Sequence, residues 1–387
     1  MHISTKNKLF KGLAVSIGLA VMGTAAAASA EGLPKSMIWT AYGTTSSGYA
    51  QAVAIGNVLK NEYGTSLRIL PGKNDISRMT PLKIGKAGYC ACGIASYFGQ
   101  EGVMQFATAS WGPQPLRAIM TSKGSFGLGL AIAKDAGVTK LSDLKGKRIA
   151  WVRGSDALNI GSTAILAYAG LSWDDVQKVE FPGFKDSIDG IINGQIDAAF
   201  TSTVSPHIKR LAASPRGVTW STLPTDDSAA WDRVHAIAPY LSPVTATVGA
   251  EISKDKPWIG AGYPYPILVA NAGQSVDEVY ILTKSMVENF DSYKDNAPGA
   301  KGWNIDNQNF EWILPYHDGA VKFFTEIGKW SDAAQKHQDL LVKRQTVLAD
   351  AFKAFKATNP SKDEFKTAWT KARADALAAA SLAVNFN

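Results

Sequence analysis

Ser36-Met37-Ile38-Trp39-Thr40-Ala41-Tyr42-Gly43-Thr44-Thr45-Ser46-Ser47-Gly48-Tyr49 is the stretch whose reading decides the fold. It begins as a short apolar strand and runs into a loop of glycines and hydroxyl residues. A helix is predicted to follow, from Ala50 to about Lys60, with Ala50, Val53, Ala54, Asn57 and Val58 on one face. A strand that hands over to a helix through such a loop presents unpaired N–H groups and a positive dipole end, which suit an anion. Gly43 and Gly48 allow a close approach of backbone to ligand, and Thr44, Thr45, Ser46 and Ser47 add four hydroxyls. The same residues also fit an ordinary βα turn with a capping serine.

Outward from that stretch, strand and helix alternate. Leu67–Leu70 reads as a strand, Ile76–Gly85 as a helix despite Pro81, and Tyr89–Ala95 as a strand, giving βαβαβ and a parallel sheet. Pro113 and Pro115 mark a break, and the apolar runs Leu116–Met120 and Leu128–Ala133 are expected near a crossing between lobes. A second α/β unit starts at Leu141, with strand 148–152, the tight loop Arg153-Gly154-Ser155-Asp156 and helix 157–169 ended by Gly170. Strands at 179–181 and 196–201 continue the pattern, and the chain is then expected to return through Ala236–Tyr240 and Thr245–Ala250. The expected organisation is a first lobe over 31–120, a second over 121–240, a return to the first over 241–315, and C-terminal helices over 316–387. In the last part Phe352, Phe355, Phe365 and Trp369 are expected to pack together, and Ser361–Glu364 reads as a capping box.

Residues 1–30 read as a secretory signal peptide. Lys6, Lys8 and Lys11 precede the apolar run 13–22, and Ala25–Ala30 offers small residues for cleavage. The expected product is an exported, soluble protein. The formal net charge of +7 then falls by three, too little for a nucleic-acid binder without a basic tract. Cys90 and Cys92 are the two cysteines. In a strand their side chains share a face about 7 Å apart, which argues for free thiols rather than a disulfide.

No nucleophile elbow, zinc-binding helix, phosphate loop or dinucleotide fingerprint occurs. His207, His235, His317 and His337 are scattered, so no catalytic residues, metal site or cofactor is expected. In open parallel sheets ligands bind beyond the carboxyl ends of the strands. Four loops lie there: Gly43–Tyr49; Ser96, Tyr97 and Gln100; Arg153–Asp156; and Thr201-Ser202-Thr203. Lys73, Asn74 and Arg78 line the rim, with Arg78 read as a solvated helix face. Arg153 could fork onto a ligand carboxylate or pair with Asp156 or Asp197. Asp156 could meet a ligand amine or cap the helix behind it. Tyr263-Pro264-Tyr265-Pro266 could wall the cleft or pack on the interlobe strands.

The chain resembles the TAXI-type solute-binding subunits of tripartite ATP-independent periplasmic (TRAP) transporters. The resemblance is carried by Tyr42–Tyr49, by Leu141-Ser142-Asp143-Leu144-Lys145-Gly146-Lys147-Arg148 followed by Gly154-Ser155, by Gly170-Leu171-Ser172-Trp173-Asp174-Asp175-Val176, by Gly194–Phe200 and by Leu314-Pro315-Tyr316-His317-Asp318-Gly319-Ala320. Hydroxyls stand where the family's first loop is richer in glycine, Ala50 follows the loop where proline is frequent, and Asp318 replaces the usual proline. The resemblance implies a two-lobed α/β, type II periplasmic-binding-protein-like fold with C-terminal helices. It also implies a monomeric periplasmic receptor for a small carboxylate or amino acid, and a transmembrane, ion-coupled permease as partner; the alternatives are an exported enzyme using the same cleft and the receptor of an ATP-driven (ABC) importer. The expected ligand contacts are Gly43, Thr44, Thr45, Ser46, Ser47, Gly48, Tyr49, Asn74, Ser96, Arg153, Gly154, Ser155, Asp156, Thr201 and Ser202.

Overall fold

The computed structural model describes residues 32–386, so the expected signal peptide lies outside the described residues. The first lobe opens with β1 (Ser36–Tyr42), α1 (Ser47–Tyr63), β2 (Ser66–Gly72), α2 (Asp75–Lys83), β3 (Tyr89–Cys92), α3 (Ala95–Glu101) and β4 (Leu116–Thr121). The chain then crosses to β5 (Leu128–Ile132), β6 (Arg148–Val152), α4 (Asp156–Tyr168), β7 (Gln177–Phe181), α5 (Phe184–Ile192), β8 (Ala198–Ser202) and α6 (Pro206–Ala212). Next come α7 (Ser228–Ile237), β9 (Ser242–Ala246) and β10 (Trp258–Gly262). It returns through β11 (Ile267–Asn271), α8 (Val276–Glu288) and α9 (Phe290–Tyr293), and ends in α10 (Asp318–Glu326), α11 (Asp332–Ala357) and α12 (Phe365–Ala379).

Two mixed sheets result, ordered β2-β1-β3-β11-β4 and β7-β6-β8-β5-β10-β9. Each is built on a parallel βαβαβ trio, with β1 between β2 and β3, and β6 between β7 and β8. Each trio is extended by an antiparallel strand that enters from a crossing, β11 beside β3 and β5 beside β8. This reciprocal exchange is the two-lobed type II periplasmic-binding-protein-like fold. The crossings are the short segments 122–127 and 263–266. They run side by side, with Ser122 N–H donating to Pro266 O at 2.9 Å and Tyr265 N–H to Ser122 O at 2.6 Å.

Three expectations are corrected here. The return to the first lobe falls after Gly262 rather than at 241, because β9 and β10 pair with each other and, through β10, with β5. The segment 236–240, read as returning chain, begins as the last turn of α7. Cys90 and Cys92 are joined in a disulfide. Their Cα atoms are 5.1 Å apart rather than the 7 Å of a fully extended strand, and that separation lies inside the bridging range.

The C-terminal helices belong to the first lobe. Phe355, Phe365 and Trp369 are buried against Ala107, with Phe352 packed on them. The fully buried Glu101, at the end of α3, receives Arg344 of α11 through Nε and Nη2 (both 2.7 Å) and Arg373 of α12. Trp369 Nε1 donates to Gly102 O at 2.7 Å, and Asn385 Nδ2 to Tyr97 Oη at 2.9 Å.

Candidate functional site in the cleft between the lobes

The carboxyl ends of the parallel strands of the two sheets face one another, and the loops leaving them meet. From β2 to α2, Lys73 O accepts from Phe184 N–H at 2.9 Å, Ile76 N–H donates to Gly154 O at 3.2 Å, and Asn74 Nδ2 donates to Arg153 O at 3.0 Å. Tyr42, the last residue of β1, lies 2.7 Å from Ser155 Oγ, and Thr45 Oγ1 lies 2.6 Å from His207 Nε2. Gln105 N–H donates to Asp156 Oδ2 at 2.9 Å. The lobes are closed on each other.

At the centre is a cavity of about 30 Å³. Its apolar wall is Leu128, Ala157, Leu158, Phe184, Phe200 and Tyr263; its polar wall is Tyr42, Ser47, Arg78, Thr201, Ser202, Ser205 and Tyr265. Arg78 is the only charged group of that lining among the described residues. Its side chain is 1 % exposed, and its guanidinium carbon sits 3.8 Å above the Tyr42 ring, a cation–π stack. Nη2 donates to Asp75 Oδ1 at 2.8 Å, while Nε and Nη1 have no partner among the described residues. A buried donor without a partner forfeits its hydration with nothing in exchange, and the cost is larger for a charged group.

Asp75 organises this cluster. Its Oδ1 accepts from Arg78 and, at 2.5 Å, from the Tyr42 hydroxyl. Its Oδ2 accepts from Ala157 N–H in the first turn of α4, at 2.9 Å. Burial, reinforced by the Asp75 charge, pushes the Tyr42 hydroxyl well above its ordinary range. It therefore stays protonated and donates to Asp75, which leaves Ser155 as the donor to Tyr42. Asp75 and Arg78 share one face of α2 three residues apart. Gly72 makes this possible, since a Cβ there would lie 2.8 Å from Arg78 N and Cβ.

His207 is also buried. Burial, and then the neighbouring Arg210, push it down to about 4. Arg210 Nη1 lies 3.3 Å from Nδ1. A guanidinium only donates, so Nδ1 accepts and Nε2–H is left to donate to Thr45.

Of the fifteen expected contacts, the structure brings three to the cavity wall: Ser47, Thr201 and Ser202. Ser155, Thr45, Asn74, Gly154 and Asp156 make contacts between the lobes instead. Ser46 caps α1 by accepting from Tyr49 N–H at 3.2 Å, which starts the helix at Ser47 rather than Ala50. Tyr49 is thereby inside the helix and lies in an outer groove with Val53 and Lys60. Gly48 packs near Pro266 and Tyr265, Gly43 accepts from Ser46 N–H, and Thr44 is exposed. The Ser96 hydroxyl donates to Gly93 O at 2.6 Å inside its own turn.

Arg153 is exposed and contributes its carbonyl, not its guanidinium; its expected acid Asp197 is taken by Arg148. Asp156 neither caps α4 nor faces the cavity; it accepts from Gln105, and burial raises its pKa. Arg78, read as a solvated helix face, is the buried cation of the cavity wall. Its signal in the sequence is Gly72 followed by Asp75-x-x-Arg78 at a strand end. Tyr263 and Tyr265 wall the cavity.

The family model described as the NMT1-like family matches residues 39–328. The chain belongs to the NMT1-like family. No curated protein matches it. Among solved structures, this NMT1-like chain is similar to the alkanesulfonate-binding protein SsuA from Xanthomonas axonopodis pv. citri bound to MOPS, with 14% identity, 83% of this chain and 93% of that chain covered, and a TM-score of 0.43. It is similar to PhnD1 from Prochlorococcus marinus (MIT 9301) in complex with methylphosphonate, with 11% identity, 76% and 99% covered, and a TM-score of 0.42. It is also similar to an ancestral arginine-binding protein bound to glutamine, with 14% identity, 68% and 96% covered, and a TM-score of 0.41. Among the described residues, no helix is long and apolar enough to cross a membrane, and no group of three or more His, Cys, Asp or Glu could hold a metal ion.

Proposed function

We propose that this protein is an exported, monomeric solute receptor that closes its two lobes on a small organic anion, a carboxylate in the first instance, whose charge is met by Arg78. The observation that carries this is the buried Arg78 guanidinium, with Nε and Nη1 unpartnered at the wall of the interlobe cavity. Ser47, Ser202 and Ser205 supply hydroxyls around the same space, and Ser205 Oγ is likewise buried without a partner. Binding rather than turnover is favoured because no histidine or carboxylate stands in that lining to take a proton from those hydroxyls. Opening and closing pivots on the paired crossings at 122–127 and 263–266.

The test is calorimetric and thermal-shift titration of the purified protein with small organic anions. An anion that raises the melting temperature in the native protein and not in Arg78→Gln supports the reading. No response to any of them overturns it. Recovery of the bound anion chemically unchanged separates a receptor from an enzyme. The resemblance of the Leu141–Arg148 and Gly194–Phe200 segments to TAXI-type receptors supports a TRAP-type permease as its partner. Uptake with that permease in vesicles should follow an ion gradient without ATP; strict dependence on ATP would assign it to an ABC importer.

A further inference from the structure

Arg78 is not the only anion-seeking group in the cleft. The first turn of α4 is the other, and the protein fills it with its own carboxylate. Asp75 belongs to the first lobe, yet its Oδ2 accepts from Ala157 N–H of the second at 2.9 Å. Its Oδ1 is held by Tyr42 and by Arg78 Nη2. The side chain is 2 % exposed and stands where a carboxylate brought in by a ligand would otherwise lie against the helix end.

Charge counting around the cavity then restricts what can enter. One carboxylate is already in place, shared between Arg78 and α4. A ligand with one negative charge gives Arg78 the partners that Nε and Nη1 lack. A second carboxylate would find the α4 site occupied and no cation besides Arg78 in the lining to receive it. An ammonium would fare no better. No acidic residue lines the cavity, and both Asp75 oxygens already accept. The remaining wall of Leu128, Leu158, Phe184 and Phe200 suits a short apolar tail.

We infer that Asp75 is a built-in second carboxylate that sets specificity, so that the site takes a small monoanion with an apolar tail and rejects dicarboxylates and amino acids. The inference rests on the receptor reading above and narrows its ligand class.

Matched probes test it on the intact protein by calorimetry at neutral pH. Propionate, succinate and β-alanine share a chain and differ by an added carboxylate or ammonium; acetate, malonate and glycine form a shorter set. The native protein should bind the monocarboxylate of each set at least tenfold more tightly than its two partners. In Asp75→Ser, which vacates the α4 N-terminus, the succinate-to-propionate affinity ratio should rise at least tenfold. Methanesulfonate binding in place of acetate supports the inference equally, because charge count is what Asp75 reads. Succinate or β-alanine binding the native protein as tightly as propionate overturns it while leaving the receptor reading intact, and so does an unchanged ratio in Asp75→Ser. Silence towards every probe defeats the receptor reading and this inference with it. The comparison within the native protein does not depend on how well the variant folds.

Discussion

Thr45 Oγ1 and His207 Nε2 lie 2.6 Å apart, one on each side of the cleft. The imidazole is held neutral, since burial and Arg210 push it down to about 4 from an ordinary value of 6.5. Its free forms, with the lobes apart or the chain unfolded, take up a proton first as pH falls. The contribution is therefore complete above about pH 6.5 and is lost as pH falls through about 4. A proton on Nδ1 would point at Arg210, with Lys185 nearby and only Asp189 opposing. Melting temperature against pH should show this loss, about 1–3 kcal/mol after solvent screening. His207→Gln should flatten the profile between pH 4 and 6.5.

The two serines of the opening loop should separate cleanly. Ser46 caps α1 and Ser47 lines the cavity. Ser46→Ala should cost about 1 kcal/mol in urea unfolding and leave anion affinity within twofold. Ser47→Ala should do the reverse, weakening the anion several-fold with stability within about 0.5 kcal/mol.

Gly154 has φ +73°, and a Cβ there would lie 2.6 Å from Asn74 Nδ2 across the cleft. Gly154→Ala should lower stability by about 1–2 kcal/mol through its backbone. The contact with Asn74 adds a second effect confined to the closed form. Calorimetry should show roughly tenfold weaker anion binding, and small-angle scattering a larger radius of gyration.

Glu101 compensates two buried arginines. Glu101→Gln should destabilise the protein by about 3–5 kcal/mol in urea, because Arg344 and Arg373 lose their counter-charge. The ranking of anions should not change, as none of these three side chains reaches the cavity.

The strand–helix alternation was legible because it lies in local pattern: Met37–Tyr42 into a hydroxyl loop, Arg148–Val152 into Gly154-Ser155. The loops at strand ends were legible for the same reason. What each side chain does there was not. Arg153 and Arg78 both follow strand ends in sequence, but only the packed structure shows that Arg153 lends a carbonyl while Arg78 turns inward under the Tyr42 ring. Asp75 stayed hidden because its partners come from β1, its own helix and α4, brought together by tertiary closure. The disulfide is not legible in the strand pattern, because an ideal strand overstates the spacing of Cys90 and Cys92.

The C-terminal helices are fastened to α3 through Glu101, Trp369 and Asn385, all on the first lobe. They offer a fixed vantage point from which to watch the other lobe move. A fluorescent donor on the outer face of α12 paired with an acceptor on α5 would register each closing event as a change in energy transfer. The same donor paired with α8 would stay constant. A reagentless optical sensor for the bound anion could thus be wired into the protein without touching a single residue of the cleft.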